Sequence, residues 1–178
     1  MKRSWAAVFA AAAVVVAAVL FVSTGFSADG PRQGLHVGNI PPDFSATDLS
    51  GGKQSLAQYR DKIVVLHFWA SWCPYCRGEM PKLIRIHNEL GQQGVKVLAV
   101  SVDEDTAKLS QLVASAKVPY AVIPDIRNDL AIAADYRVYG IPVTYVIGRN
   151  GQVTARFQGP GDLFEAVKKA VDKSPLPS

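Results

Sequence analysis

Residues 62–69 and 95–102 are two nearly continuous apolar runs, dense in β-branched and aromatic side chains. Without a polar alternation, they predict strands buried on both faces. Between them the period changes. Met80, Leu83, Ile84, His87 and Leu90 recur at helical spacing, and Gly91 or Gly94 is placed to stop the helix. Beyond residue 102, strand and helix alternate. The segment 103–105 carries acidic caps for a helix over 106–117, residues 121–123 read as a short strand, 129–136 as a short helix and 144–147 as another strand. Gly148-Arg149-Asn150-Gly151 gives a tight reversal into residues 152–157, forming an antiparallel hairpin at a sheet edge. A final helix over 163–172 presents Leu163, Ala166, Val167 and Ala170 on one face, and Ser174-Pro175-Leu176-Pro177 ends it. Upstream, the turns Pro41-Pro42 and Ser50-Gly51-Gly52 divide residues 40–60 into the short alternating stretches of a small hairpin. The sum is an α/β fold: a βαβ unit, then a hairpin and a helix, with a central mixed sheet flanked by helices on both faces.

The first 28 residues follow a different rule. Lys2 and Arg3 precede 25 uncharged residues rich in Ala, Val, Leu and Phe. Such a run exceeds the roughly 7–15 apolar residues of a cleavable signal and reaches the ~20 that span a bilayer, so its length favours a membrane anchor. The small residues of Gly25-Phe26-Ser27 keep signal cleavage open. Positive charge before the run places the body of the protein across the membrane from the cytoplasm, where disulfide chemistry is possible. Residues 29–36 are a polar linker, 37–174 the folded domain and 175–178 a tail. At 178 residues and 49% hydrophobic composition, the chain has room for one ordinary core. Setting aside Lys2 and Arg3, the formal charge falls from +4 to +2, and no basic run is interleaved with aromatics. Nucleic acid is therefore not an expected partner.

The two cysteines of the chain carry the chemistry. Trp72-Cys73-Pro74-Tyr75-Cys76 lies between the first central strand and the first helix. A Cys-x-x-Cys at a helix start sets its leading sulfur among unpaired N–H groups at the positive end of the dipole, which stabilise a thiolate. Pro74 has no N–H to lose and a φ suited to the first helical turn. Cys73 is thus the expected accessible nucleophile, and Cys76 faces it, ready to close a disulfide. A zinc site would want four ligands, and His36, His67 and His87 are scattered singly.

Together with the segments Pro42-Asp43-Phe44, Lys62-Ile63-Val64-Val65, Phe68-Trp69-Ala70-Ser71-Trp72-Cys73-Pro74-Tyr75-Cys76-Arg77-Gly78-Glu79-Met80-Pro81 and Tyr139-Gly140-Ile141-Pro142-Val143-Thr144-Tyr145, the chain resembles the TlpA/ResA-like thioredoxins. These are membrane-tethered extracytoplasmic thiol-disulfide oxidoreductases of bacteria. The resemblance implies a thioredoxin fold with an N-terminal hairpin extension and a central insert around 106–137, Pro142 as a cis-proline facing the disulfide, and Pro81 as a kink in the active-site helix. It implies no cofactor. It also implies a periplasmic or cell-exterior reductant of protein disulfides, recharged by a transmembrane thiol-electron carrier of the DsbD/CcdA type and acting in cytochrome c maturation or oxidase assembly. A thiol oxidase and a periplasmic copper-binding chaperone using the same thiols remain alternatives. A peroxiredoxin would want a Thr where Ala70 stands.

Three supporting residues and one dipeptide carry two readings each or depart from the resemblance. Glu79 lies a helical turn beyond Cys76, either tuning the thiols, as the resemblance implies, or serving as a solvated first-turn acid. His67 stands where thioredoxin has a buried acid, and a lone His in an apolar strand is more often packed than a proton carrier. Trp72 either shields the disulfide or contacts a partner. The Pro74-Tyr75 dipeptide is the one found in glutaredoxins, which leaves the potential open across the roughly −270 to −120 mV of related dithiol couples.

Overall fold

The computed structural model describes residues 32–174. The expected anchor or signal, residues 1–28, lies outside the described residues, as does the tail. Among the described residues, no helix is long and apolar enough to cross a membrane.

A short antiparallel hairpin, β1 (Ser45–Thr47) with β2 (Lys53–Ser55), precedes the core. The core strands are β3 (Ile63–Trp69), β4 (Val95–Ser101), β5 (Ala121–Pro124), β6 (Val143–Ile147) and β7 (Val153–Gln158). They form one sheet in the order β5-β4-β3-β6-β7. β3 runs parallel to β4 and β4 to β5, whereas β6 and β7 are antiparallel to their neighbours, so the sheet is mixed. The helices are α1 (Pro74–Leu90), α2 (Thr106–Ser115), α3 (Ala131–Asp135) and α4 (Leu163–Lys173).

All seven residues of β3 are buried, as expected of a central strand covered on both sides. Ile63, Val65 and Trp69 pack with Met80, Leu83 and Ile86 of α1 and with Leu163 and Val167 of α4. Val64, Leu66 and Phe68 point the other way, into a second cluster with Ile132, Tyr136 and Tyr145. Phe68 has ring centroids 5.2 Å from Tyr136 and 6.3 Å from Tyr145. Both phenols are satisfied: Tyr136 Oη donates to the Pro42 carbonyl at 2.7 Å and Tyr145 Oη to the Tyr136 carbonyl at 3.1 Å. The first of these bonds pins the segment before β1 to the core.

Local chemistry moved several boundaries. The helix expected over 106–117 ends at Ser115, and Lys117 turns left-handed with φ 50°. Its N-cap is Asp105, whose Oδ1 accepts from the Ala107 and Lys108 amides at 3.0 Å. The helix expected over 129–136 is shorter, because buried Asp125 reaches across from a preceding 3-10 turn and accepts the Ile132 and Ala133 amides. Asp129 and Leu130 meanwhile adopt positive φ of 52° and 58°. The stop after Leu90 uses both candidate glycines, since a 3-10 turn over Gly91–Gln93 ends at Gly94 with φ 78°. α1 runs through Pro81 unbroken.

Candidate active site

β3 delivers the chain to the C-terminal end of the sheet, where Val102 N–H still bonds the Trp69 carbonyl at 3.0 Å. A turn closed by Cys73 N–H to the Ala70 carbonyl, at 3.2 Å, then lifts residues 70–73 into α1. Cys73 is the N-cap of α1 and Pro74 opens the helix. The Cys73 Sγ accepts the Cys76 amide at 3.3 Å, so the sulfur occupies the acceptor position that a Ser or Asp side chain takes at other helix starts. Cys73 and Cys76 are joined as a disulfide with Cα atoms 5.3 Å apart.

Exposure separates the two cysteines less than the sequence suggests. In the disulfide Cys73 is 4% exposed and Cys76 1%. Capping geometry, not accessibility, distinguishes them: only Cys73 receives an amide hydrogen bond at the positive helix end. The aromatic neighbours are the exposed ones, with Trp72 at 67% and Tyr75 at 70%. Trp72 also forms one wall of a groove of about 460 Å³ with Val102, Leu130, Ala133, Tyr139 and Ile141. Pro142, next to Ile141, follows a cis peptide bond, and its carbonyl accepts the Gly159 amide at 2.8 Å.

Glu79 is not a solvated acid. It is 1% exposed on the inner face of α1. Its Oε1 accepts the Gly161 amide at 3.1 Å, Lys82 Nζ stands 4.0 Å from the same oxygen, and Oε2 has no hydrogen-bond partner among the described residues. Burial raises the carboxyl pKa above its ordinary value, while the Gly161 amide and Lys82 pull it back. The loop before α4 is fitted to this contact, because a Cβ on Gly161 would come within 2.4 Å of the Phe157 ring. Glu79→Gln keeps an acceptor for Gly161 and removes the titration. Its thiol titration should match the parent where Glu79 is neutral, and fall to lower pH than the parent where Glu79 is ionised, because a nearby carboxylate makes each thiolate costlier. Thiolate absorbance against pH reads this, and superimposable curves throughout would reduce Glu79 to a structural acid.

His67 sits in β3 opposite Thr144 of β6, 1% exposed, with Nδ1 at 2.8 Å from Thr144 Oγ1. Burial lowers its pKa to about 3, so it is neutral around pH 7. That favours packing over proton carriage. Among the described residues no group of three or more His, Cys, Asp and Glu side chains gathers to hold a metal ion.

Sequence reasoning missed two contributors. Gly161 acts through its amide, which no side-chain pattern signals. Asp103, grouped with the helix caps, turns instead toward the active-site turn, where its carboxylate accepts Ser71 N–H at 2.8 Å and Ser71 Oγ–H at 2.6 Å. A polar pair straddling a strand's C-terminal end, Ser101 and Asp103, was the available clue.

Residues 37–156 match the model of the AhpC/TSA family. The chain belongs to the AhpC/TSA family. Its curated relatives are named as thiol-disulfide oxidoreductases or as thioredoxin-like. Thiol-disulfide oxidoreductase ResA of Geobacillus kaustophilus is 35% identical over 122 residues, which are 68% of this chain and 69% of that one. Thioredoxin-like protein YneN of Bacillus subtilis is 35% identical over 120 residues, 67% of this chain and 70% of its own. Among solved structures, a DsbE-type thiol:disulfide interchange protein from Chlorobium tepidum aligns with a TM-score of 0.71 at 27% identity, covering 78% of this chain and 99% of that chain. This AhpC/TSA member is therefore a thiol-disulfide oxidoreductase of the ResA/DsbE type with a thioredoxin-like fold, as the motifs around Cys73 and Pro142 implied.

Proposed function

We propose that Cys73 and Cys76 exchange disulfides with protein substrates outside the cytoplasm, with Cys73 as the attacking thiol. The observation that carries the assignment is the Cys73 sulfur at the N-cap of α1, bonded to the Cys76 amide. In the reduced protein, the same amide and the helix dipole would favour the Cys73 thiolate. That thiolate attacks one sulfur of a substrate disulfide, forming a mixed disulfide and releasing the other substrate sulfur as a thiolate. Cys76, deprotonated, then attacks the Cys73 sulfur, which frees the second substrate thiolate and leaves Cys73–Cys76 oxidised. Two electrons pass to the substrate, whose two thiolates take up protons. Buried Glu79, held on the α1 face by Gly161, is the group we assign to proton exchange with the dithiol.

The direction we favour in the cell is reduction, with the pair re-reduced by a transmembrane thiol carrier of the DsbD/CcdA type and with cytochrome c maturation or oxidase assembly as the setting. The ResA and DsbE-type relatives support the thiol-disulfide exchange on which this reading rests. A relative from Corynebacterium glutamicum, 26% identical, is described as a secreted thiol-disulfide isomerase, which accords with an extracytoplasmic site of action. Residues 1–28 would hold the domain at the membrane. Measuring the Cys73–Cys76 reduction potential tests the direction: a value near −270 mV supports a reductant, whereas one near −120 mV assigns the protein to thiol oxidation. Cu(I) retention without insulin reduction would support the copper-chaperone alternative. Carbonate extraction tests the tether. The full chain should stay in the membrane pellet, and release of a form beginning near Ala28 would show a cleaved signal.

A further inference from the structure

Asp103 lies just beyond the C-terminal end of β4, 3% exposed, and among the described residues every hydrogen bond its carboxylate accepts comes from Ser71 or Ser101. Oδ1 accepts Ser71 Oγ–H at 2.6 Å; Oδ2 accepts Ser71 N–H at 2.8 Å and Ser101 Oγ–H at 2.6 Å. The Asp103 amide donates back to Ser101 Oγ at 3.0 Å, so Ser101 and Asp103 brace one another. The hydroxyl distances fall in the charge-assisted range, where bonds are roughly twice as strong as neutral ones. Ser71 is the second residue of the turn that Cys73 N–H closes on the Ala70 carbonyl. The rung between Val102 N–H and the Trp69 carbonyl holds the chain just before that turn. Beyond Trp69, the residues leading to Cys73 have left the ladder. Ser71 is the point at which the segment following β4 grips them again.

We propose that Asp103 is a positioning residue for disulfide exchange: by holding Ser71 on both its amide and its hydroxyl, it sets the turn that places the Cys73 sulfur at the helix N-cap and Trp72 at the wall of the adjacent groove. The proposal rests on Cys73–Cys76 being the exchanging pair. Asp103 acts through geometry and touches no reacting atom. When the grip is lost, Ser71 is freed, Cys73 drifts from the Cys76 amide and the thiolate loses its donor. An error of about 1 Å in a positioned group can cost on the order of a hundredfold in rate.

The test compares Asp103→Ala, Asp103→Asn and Ser71→Ala with the parent and with Cys73→Ser. The readouts are insulin reduction and the pH midpoint of iodoacetamide labelling of Cys73, with circular dichroism confirming the fold. Asp103→Ala should slow insulin reduction by about tenfold or more and move the labelling midpoint to higher pH. Asparagine can satisfy the same three partners: its carbonyl replaces Oδ2, and its amide donates to Ser71 Oγ in place of Oδ1. Asp103→Asn should therefore restore most of the loss. Ser71→Ala, which keeps the backbone bond, should give a smaller change of the same sign, and it carries the test should Asp103→Ala not fold. A folded Asp103→Ala within twofold of the parent in both readouts would overturn the proposal, as would an unchanged Ser71→Ala. Equal shifts of the midpoint to lower pH in Asp103→Ala and Asp103→Asn would also overturn it, because the carboxylate would then act as a charge. Insulin reduction surviving in Cys73→Ser refutes the thiol assignment itself, separately from the role of Asp103.

Discussion

Cys76→Ser should turn the protein into a trap that accumulates mixed disulfides through Cys73, while Cys73→Ser should lower insulin reduction to background. Both expectations follow from the asymmetry at the start of α1. Cys73 caps the helix and its sulfur accepts the Cys76 amide, whereas Cys76 lies inside the first turn with 1% exposure. A thiolate at the cap would be stabilised by that amide and by the dipole, so Cys73 is the expected first attacker. Resolution needs only that Cys76 reach the Cys73 sulfur, and the existing disulfide shows that it does. Removing Cys76 leaves attack intact and blocks release. Serine at 73 is too weakly acidic to supply the nucleophile. Non-reducing gels with a disulfide-bearing protein substrate, followed by peptide mapping of the adduct, check both. An adduct mapped to Cys76 in Cys73→Ser, with none on Cys73 in Cys76→Ser, would reverse the assignment.

The folded state should lose stability as pH falls below about 6.5, and His67 should carry much of that loss. Its pKa drops from 6.5 in the unfolded chain to about 3 in the fold, because the charged ring would be buried. Below pH 6.5 the unfolded chain gains a proton that the folded chain refuses. Stability present above 6.5 is therefore lost progressively toward pH 3, amounting to about 2 kcal/mol by pH 5. Glu79 works in the opposite sense. Its raised pKa makes the folded state the better proton binder, so its contribution improves as pH falls through the folded value toward 4.5. His67→Gln retains a partner for Thr144 Oγ1 and does not titrate. Urea midpoints at pH 7.5 and pH 5 should show the parent losing about 2 kcal/mol more than His67→Gln, a difference in which the shared groups cancel. Equal losses would show that His67 carries no proton linkage.

The central strands were legible because a strand buried on both faces leaves a continuous apolar run, and residues 62–69 and 95–102 show it plainly. The cysteine pair was legible because Pro74 and the change of period fix a helix start at Cys73. Boundaries set by remote side chains were not. Asp125 accepts amides seven and eight residues on, which shortens α3 in a way no local propensity encodes. Asp103 and Asp105 look alike as helix caps, yet only Asp105 caps α2, while Asp103 finds Ser71 across 32 positions of sequence.

The supporting residues divide along the same line. From sequence, Glu79 and His67 each carried two readings, and burial, which the sequence did not show, bears on both. Glu79 became a buried, half-partnered carboxyl because α4's leading loop closes over α1 at Gly161. His67 became a neutral core residue because β6 pairs with β3 at Thr144. Local sequence fixes periodicity, helix starts and the candidate reactive atoms, since these depend on neighbours within a few positions. The tertiary structure alone sets the dielectric and hydrogen-bond partners of a titratable group, because those arrive from strands and loops tens of residues away.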